Sequence, residues 1–228
     1  MQTDNLQSQA IHVATLDVIT YIINTFLLTK GYKMKNINKL IVVFALLSTT
    51  LFAQTKWKFD NSHTKIGFTV THMLITDVDG YFKKYSGSIV STSDDFQNAK
   101  IEFEAEIESI FTDNNSRDKH LKSEDFFDAE KFPALKFVSR SFSKIEGKSY
   151  KLVGDLTIKG ITKEVTFDVK YNGTITGPWG KTRAGFKISG EIDRFDYNLN
   201  WNKALEAGGL VVSKEVELDI KIELIKKE

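Results

Sequence analysis

From Lys65 onward, apolar and polar residues alternate with a period of two, the pattern of strands buried on one face. Ile66, Phe68 and Val70 share one face, with Lys65, Thr69 and Thr71 on the other. The run Ile101–Glu108 alternates without a fault, and so does Val216–Leu224 near the end of the chain. Between them lie Leu135/Phe137, Leu152/Gly154/Leu156/Ile158, Val165/Phe167/Val169/Tyr171 and Ala184/Phe186/Ile188/Gly190/Ile192, each set against a polar face. A further strand is predicted over Phe82–Ser91. The total is about eight, joined by turns such as Lys159-Gly160 and Gly177-Pro178-Trp179-Gly180. Strands wet on one side form an antiparallel sheet that must hide its apolar face. Closing about eight of them into an up-and-down barrel hides that face and removes the open edges. The expected fold is therefore all-β, an eight-stranded antiparallel lipocalin-like barrel, with a two-sheet sandwich as the alternative.

The alternation fails over Thr112–Asp128. That stretch opens on capping residues, lacks a β-branched run and predicts one or two short helices near residues 114–128. Phe126, Phe127 and Phe132 give it an apolar side, and Pro133 ends it. In a barrel such a segment lies across one end as a plug or lid.

Upstream of the strands, Met34-Lys35-Asn36-Ile37-Asn38-Lys39 precedes an apolar run from Leu40 to Phe52 and the small residue Ala53. A basic start, an apolar stretch shorter than the roughly 20 residues of a membrane span, and a small residue read as a secretory signal peptide, residues 34–53, cleaved after Ala53. An uncleaved anchor is the alternative. Residues 1–33 carry Asp4 and Asp17 and lack a basic start, so they read as a non-native upstream extension with translation beginning at Met34. An amphipathic helix around Val18–Leu28 is the other reading. The mature domain is then 54–228, 175 residues (228 less 53). It is expected in the periplasm, with no stable membrane insertion after cleavage.

The whole chain has a net charge of +1, four histidines and no cysteine. Near-neutral charge offers no basic field for nucleic acid. The lack of cysteine excludes a disulfide, a thiolate metal site, a Cys nucleophile and an anchor through an N-terminal cysteine. A domain of this size buries enough surface to need no staple, so the absence of disulfides is compatible with export.

Several motifs, in order, resemble the YceI-like polyisoprenoid-binding proteins. They are Trp57-Lys58-Phe59-Asp60-Asn61-Ser62-His63-Thr64-Lys65-Ile66-Gly67-Phe68, Asp79-Gly80-Tyr81-Phe82, Tyr85-Ser86-Gly87, the block Arg117–Asp128, Phe132-Pro133-Ala134-Leu135-Lys136-Phe137-Val138-Ser139, Gly154–Lys163 and Arg194-Phe195-Asp196-Tyr197. The likeness spans residues 56–225 and departs at Asn198, where the family usually has glycine. It implies an eight-stranded barrel, exported to the periplasm, whose lumen holds a polyisoprenoid, an isoprenoid quinone or a similar fatty amphiphile. A homodimer is compatible with such a barrel.

A barrel of eight strands is either filled by side chains or holds one small ligand. The inward positions expected to line the lumen are Phe68, Val70, Phe103, Ala105, Ile107, Phe111, Phe126, Phe127, Phe137, Leu156, Phe167 and Phe186. Rings spaced among the small residues Ala105, Gly154, Ala184 and Gly190 suggest a narrow apolar tunnel suited to a chain. His63, His72, Arg117 and His120 are the candidates for a polar head group at the mouth. The alternative is a filled barrel that acts as an accessory interaction protein through its rim loops, Trp201–Gly209 above all.

No catalytic residue, metal or cofactor is assigned. The sequence has no Gly-x-Ser-x-Gly, His-Glu-x-x-His, phosphate loop or dinucleotide fingerprint. His63, His72 and His120 match no standard metal-ligand spacing. Glu102, Glu104, Glu106 and Glu108 share one outward face, which reads as a solvated strand rather than a carboxylate pair.

Overall fold

The computed structural model describes residues 54–204 and 210–227. The upstream stretch 1–33, the signal-like segment 34–53 and Leu205–Gly209 of the rim stretch lie outside those residues. The alternating segments form eleven stretches of one antiparallel sheet. These are β1 (Thr55–Phe59), β2 (Lys65–His72), β3 (Thr76–Phe82), β4 (Tyr85–Ser91), β5 (Lys100–Glu106), β6 (Ile110–Phe111), β7 (Ala134–Glu146), β8 (Ser149–Ile158), β9 (Ile161–Thr176), β10 (Thr182–Asp193) and β11 (Glu215–Lys226). Among the described residues one α-helix, α1, covers Asn115–Lys122.

Register reduces the eleven stretches to eight strands. β1 and β2 both run antiparallel to β11, Trp57–Phe59 beside Leu224–Lys226 and Lys65–Thr69 beside Glu217–Lys221. They are two halves of one strand, with Asp60–Thr64 between them. β3 continues into β4 along that strand, and β5 into β6 along the next. With the unbroken β7 to β11, this makes a closed eight-strand up-and-down barrel in which β1–β11 is the closing pair. The sandwich alternative falls.

Side chains satisfy the backbone where the three bent strands break the ladder. The Thr64 hydroxyl accepts from the Glu223 amide at 3.1 Å and donates to its carbonyl at 3.2 Å. Buried Ser109 accepts from the Lys84 amide at 3.0 Å and donates to the Glu106 carbonyl at 2.7 Å. This second joint corrects one expectation. The alternation from Ile101 does not run as strand to Glu108, because Ile107–Ser109 form a 3-10 turn. The outward glutamates meet lysines of neighbouring segments: Glu104 with Lys136, Glu106 with Lys84, Glu108 with Lys122.

One end of the barrel is packed solid. Phe96, fully buried in the β4–β5 loop, has its ring centroid 5.0 Å from those of Trp57 and Phe186 and 5.6 Å from that of Tyr171. Phe142 stacks on Tyr150 at 4.9 Å, and the Tyr150 hydroxyl donates to the Asp95 carbonyl at 2.7 Å, which ties the loop to the wall. At the other end the Asn114 side chain caps α1 by accepting from the Arg117 amide at 3.0 Å. The chain then leaves the helix through tight turns to Phe132, so the expected one or two helices are one helix and a turn-rich return.

Candidate ligand-binding lumen

Above the aromatic plug lies an apolar cavity of about 500 Å³. Eight of the expected lumen positions line it: Phe68, Val70, Phe103, Phe126, Phe127, Phe137, Leu156 and Phe167. Ile66, Phe82, Ile188, Leu218, Ile220 and Ile222 complete much of the wall.

The wall glycines work differently from the expectation. They do not leave open space. Phe68 lies over Gly80, Phe137 over Gly154 and Phe167 over Gly190, where an added Cβ would stand 2.3, 2.4 and 2.5 Å from a ring atom. The missing side chains let three rings lie against the barrel wall, which keeps the centre clear. Ala105 and Ala184 are fully buried in the wall itself.

Four other expected lumen positions lie outside the cavity lining. Ala105 and Ile107 are buried but do not line the cavity. Phe111 faces the outside, against Tyr81 at 5.4 Å and with the Lys83 ammonium 3.3 Å from its ring centroid. The 3-10 turn at Ile107–Ser109 is the cause. It shifts the phase of the strand so that Ile110 takes the buried position, and a one-residue slip exchanges the faces. Phe186 points inward at the level of the plug and packs on Phe96 and Tyr171.

α1, its return loop and residues 194–204 and 210–214 between β10 and β11 form the mouth. His120, Phe126 and Trp201 pack mutually with centroids 4.9 to 5.3 Å apart, and His120 Nε2 lies 3.0 Å from Asp125 Oδ2. Arg117 donates from Nε to the Thr112 hydroxyl at 2.8 Å and from Nη2 to its carbonyl at 2.6 Å. Thr112 in turn donates its amide and hydroxyl to buried Asp118 at 2.9 and 2.6 Å, so the helix is fastened to β6. Of the four residues proposed for a head group, His72, Arg117 and His120 border the cavity.

His63 does not. Its side chain is 60% exposed, because the β1–β2 joint turns outward in mid-wall rather than at a barrel end. There His63 Nδ1 lies 3.1 Å from Asp60 Oδ2, and Arg183 bonds both Asp60 and Glu223. The Arg183 guanidinium holds the Asp60 carboxyl down at about 2. Asp60, His63 and Glu223 stand close enough to hold a metal, but Arg183 already supplies the cation to both carboxylates.

Arg194 is a mouth residue not singled out by sequence. It is buried at the rim of the cavity and donates to the carbonyls of Ser213 at 2.8 Å, Trp201 at 3.0 Å, Val212 at 3.1 Å and Leu199. Among the described residues no carboxylate forms an ion pair with it, and burial lowers its pKa from the ordinary arginine value. Its signal was the Arg194–Tyr197 element, which folds as a 3-10 turn. Asn198 ends that turn at φ 55° and ψ 30°, a left-handed conformation that asparagine tolerates in place of glycine.

A single closed barrel, plugged at one end, lidded by a helix at the other and apolar within, is a lipocalin-like ligand-enclosing architecture. The chain belongs to the YceI-like domain family, whose model matches residues 57–224. A UPF0312 protein of Staphylococcus aureus strain MSSA476 is 38% identical over 170 residues, covering 74% of this chain and 96% of that protein. The Campylobacter jejuni YCEI protein is 33% identical, with a TM-score of 0.61 over 74% of this chain and 96% of the other. A polyisoprenoid-binding domain from Saccharophagus degradans shares the fold at 15% identity, with a TM-score of 0.55 over 75% of this chain and 98% of that one.

Proposed function

We propose that the protein binds and carries one long-chain amphiphile, a polyisoprenoid, isoprenoid quinone or fatty chain, with its tail in the lumen and its polar head at the lidded mouth. The observation that carries this reading is the distribution of polarity along the cavity: hydrocarbon from the plug upward, then His72, Arg117, His120 and Arg194 at the mouth. Burying each CH₂ contributes about 0.8 kcal/mol, so ten to fifteen carbons give about 8–12 kcal/mol before the cost of confinement. Micromolar binding needs about 8 kcal/mol, so chain burial alone suffices. The basic rim suits a polar or anionic head. The Saccharophagus degradans neighbour is a polyisoprenoid-binding domain, which supports this ligand class. Binding rather than catalysis is the proposed activity, and export after cleavage at Ala53 the proposed route.

Native mass spectrometry on the compact unit Phe52–Glu228 tests the reading. A stoichiometric prenyl or fatty chain is expected, either copurified or taken up on addition. Phe137→Trp and Phe167→Trp, each adding bulk to the lumen wall, should reduce uptake at least tenfold in a folded barrel. An empty protein that ignores all added chains would instead favour the filled-barrel interaction protein. The N-terminal residue of the protein recovered from fractionated cells, expected to be Gln54 in the periplasmic fraction, tests export.

A further inference from the structure

Between β2 and β3 the chain turns over at Met73-Leu74-Ile75 and leaves three large apolar side chains in solvent, 42%, 64% and 83% exposed. Met73 and Leu74 have φ of 51° and 64°, a left-handed backbone that hairpin turns ordinarily assign to glycine or asparagine. The turn is held outward. The Ile75 amide donates to the His72 carbonyl at 3.2 Å, and the Met73 amide to Val211 at 2.9 Å. This tip stands on the rim of the lumen. Val70 and His72 line the cavity on the strand entering it, and Val78 on the strand leaving it. On the outer face just below, Asp77 and Asp79 accept from the hydroxyls of Thr71 at 3.1 Å and Thr69 at 2.7 Å. Among the described residues neither carboxylate has a basic partner.

We infer that the Met73–Ile75 tip seats the mouth of the barrel on an electrically neutral phospholipid bilayer, so that an apolar chain passes between bilayer and lumen without crossing water. The inference rests on the reading of the lumen as a chain carrier. The geometry selects a bilayer over a protein. Three side chains on a narrow convex turn offer no extended apolar face to a folded partner, yet they suit the interior of a lipid layer. The tip adjoins the opening through which a membrane-resident chain would enter. Asp77 and Asp79, on the outer face beneath it, oppose anionic lipid and limit insertion to the turn itself. A second exposed apolar tip, Ile175 and Trp179, is 70% and 84% exposed, but it stands at the plugged end where no lumen opens. It is an internal control.

The test is flotation of the fragment Phe52–Glu228 with phosphatidylcholine vesicles, alongside native mass spectrometry of prenol uptake from solution. The fragment lacks all but Phe52 of the apolar run Leu40–Phe52. The wild-type fragment is expected to float with the vesicles. The double substitution Leu74→Asp/Ile75→Asp should lower vesicle partitioning by about tenfold or more, while prenol uptake stays unchanged. Trp179→Ser should float as wild type does. Wild-type protein that stays in solution, a double variant that floats equally well, or a Trp179→Ser variant that loses as much would each overturn the inference. A wild-type fragment that floats but takes up no chain would leave the docking standing and overturn the carrier reading.

Discussion

Three phenylalanine rings owe their positions to the glycines they cover, and one of the three contacts differs from the others in what an added methyl would meet. At Gly190 the three atoms nearest an added Cβ all belong to the Phe167 ring, a flexible side chain that borders the lumen. At Gly154 it also meets the Val138 carbonyl at 2.5 Å, which is backbone and cannot step aside. Gly190→Ala should therefore fold with a modest loss of stability yet bind a prenyl chain about tenfold more weakly, while Gly154→Ala should lose about 1–3 kcal/mol in urea unfolding. Unchanged affinity in Gly190→Ala would show that Phe167 does not bound the ligand. A second residue-level effect is acid sensitivity at the outer seam. The folded pKa of Asp60, about 2, lies below the 3.8 of a free carboxyl, chiefly through the Arg183 hydrogen bond. A depressed carboxyl stabilises the fold above its unfolded pKa and loses that contribution as pH falls through the folded value. The window is thus about pH 4 down to 2, and after solvent screening the effect is about 1–2 kcal/mol. Denaturant titrations of Arg183→Gln should show a flatter decline across that window than wild type.

Elements differ in how openly the sequence announced them. β5 and β7 to β11 were legible because inward residues recur at every second position over long runs. β1 was not, since Thr55–Phe59 is short and adjoins an apolar leader-like segment. β3 was missed in most of its length because its inward set is Val78, Gly80 and Phe82, a glycine where the pattern needs an apolar residue. The joint at Ile107–Ser109 was invisible for a different reason. Periodicity continues through it in the sequence, and only the Ser109 hydroxyl, bonding backbone across two strands, reveals the phase shift that misplaced Phe111. Phe96 escaped notice as a single ring in a polar loop. The lid was plain, because capping residues and a loss of alternation coincide. Its stability as an element is also testable. Asn114→Ala removes the side-chain cap, worth about 1 kcal/mol, from a helix fastened otherwise through Thr112 and Asp118. Hydrogen exchange over Asn115–Lys122 should accelerate about fivefold and release of a bound chain should quicken, while exchange in β7 to β10 stays unchanged.

At the scale of the whole barrel, stability and binding are assigned to opposite ends. The plug around Phe96 is fully packed and touches no ligand space, whereas Phe127 at the lid faces the cavity and is only partly buried. Phe96→Ala should therefore cost about 3–5 kcal/mol of unfolding free energy, as a core aromatic truncation does, and leave the affinity of the folded molecules near wild type. Phe127→Ala should do the reverse, with a small loss of stability and a clear loss of affinity. Ligand linkage supplies the cross-check. A chain present at 100 times its Kd adds about 2.7 kcal/mol to any barrel that binds it normally. The same concentration should raise wild type and Phe96→Ala equally and raise Phe127→Ala by less. Trp201, packed on Phe126 and His120 at the mouth, gives a fluorescence signal for the binding half of the measurement. Equal losses of affinity in both variants would mean that the plugged end yields when the lumen fills, so that the barrel opens at both ends instead of loading through its lid.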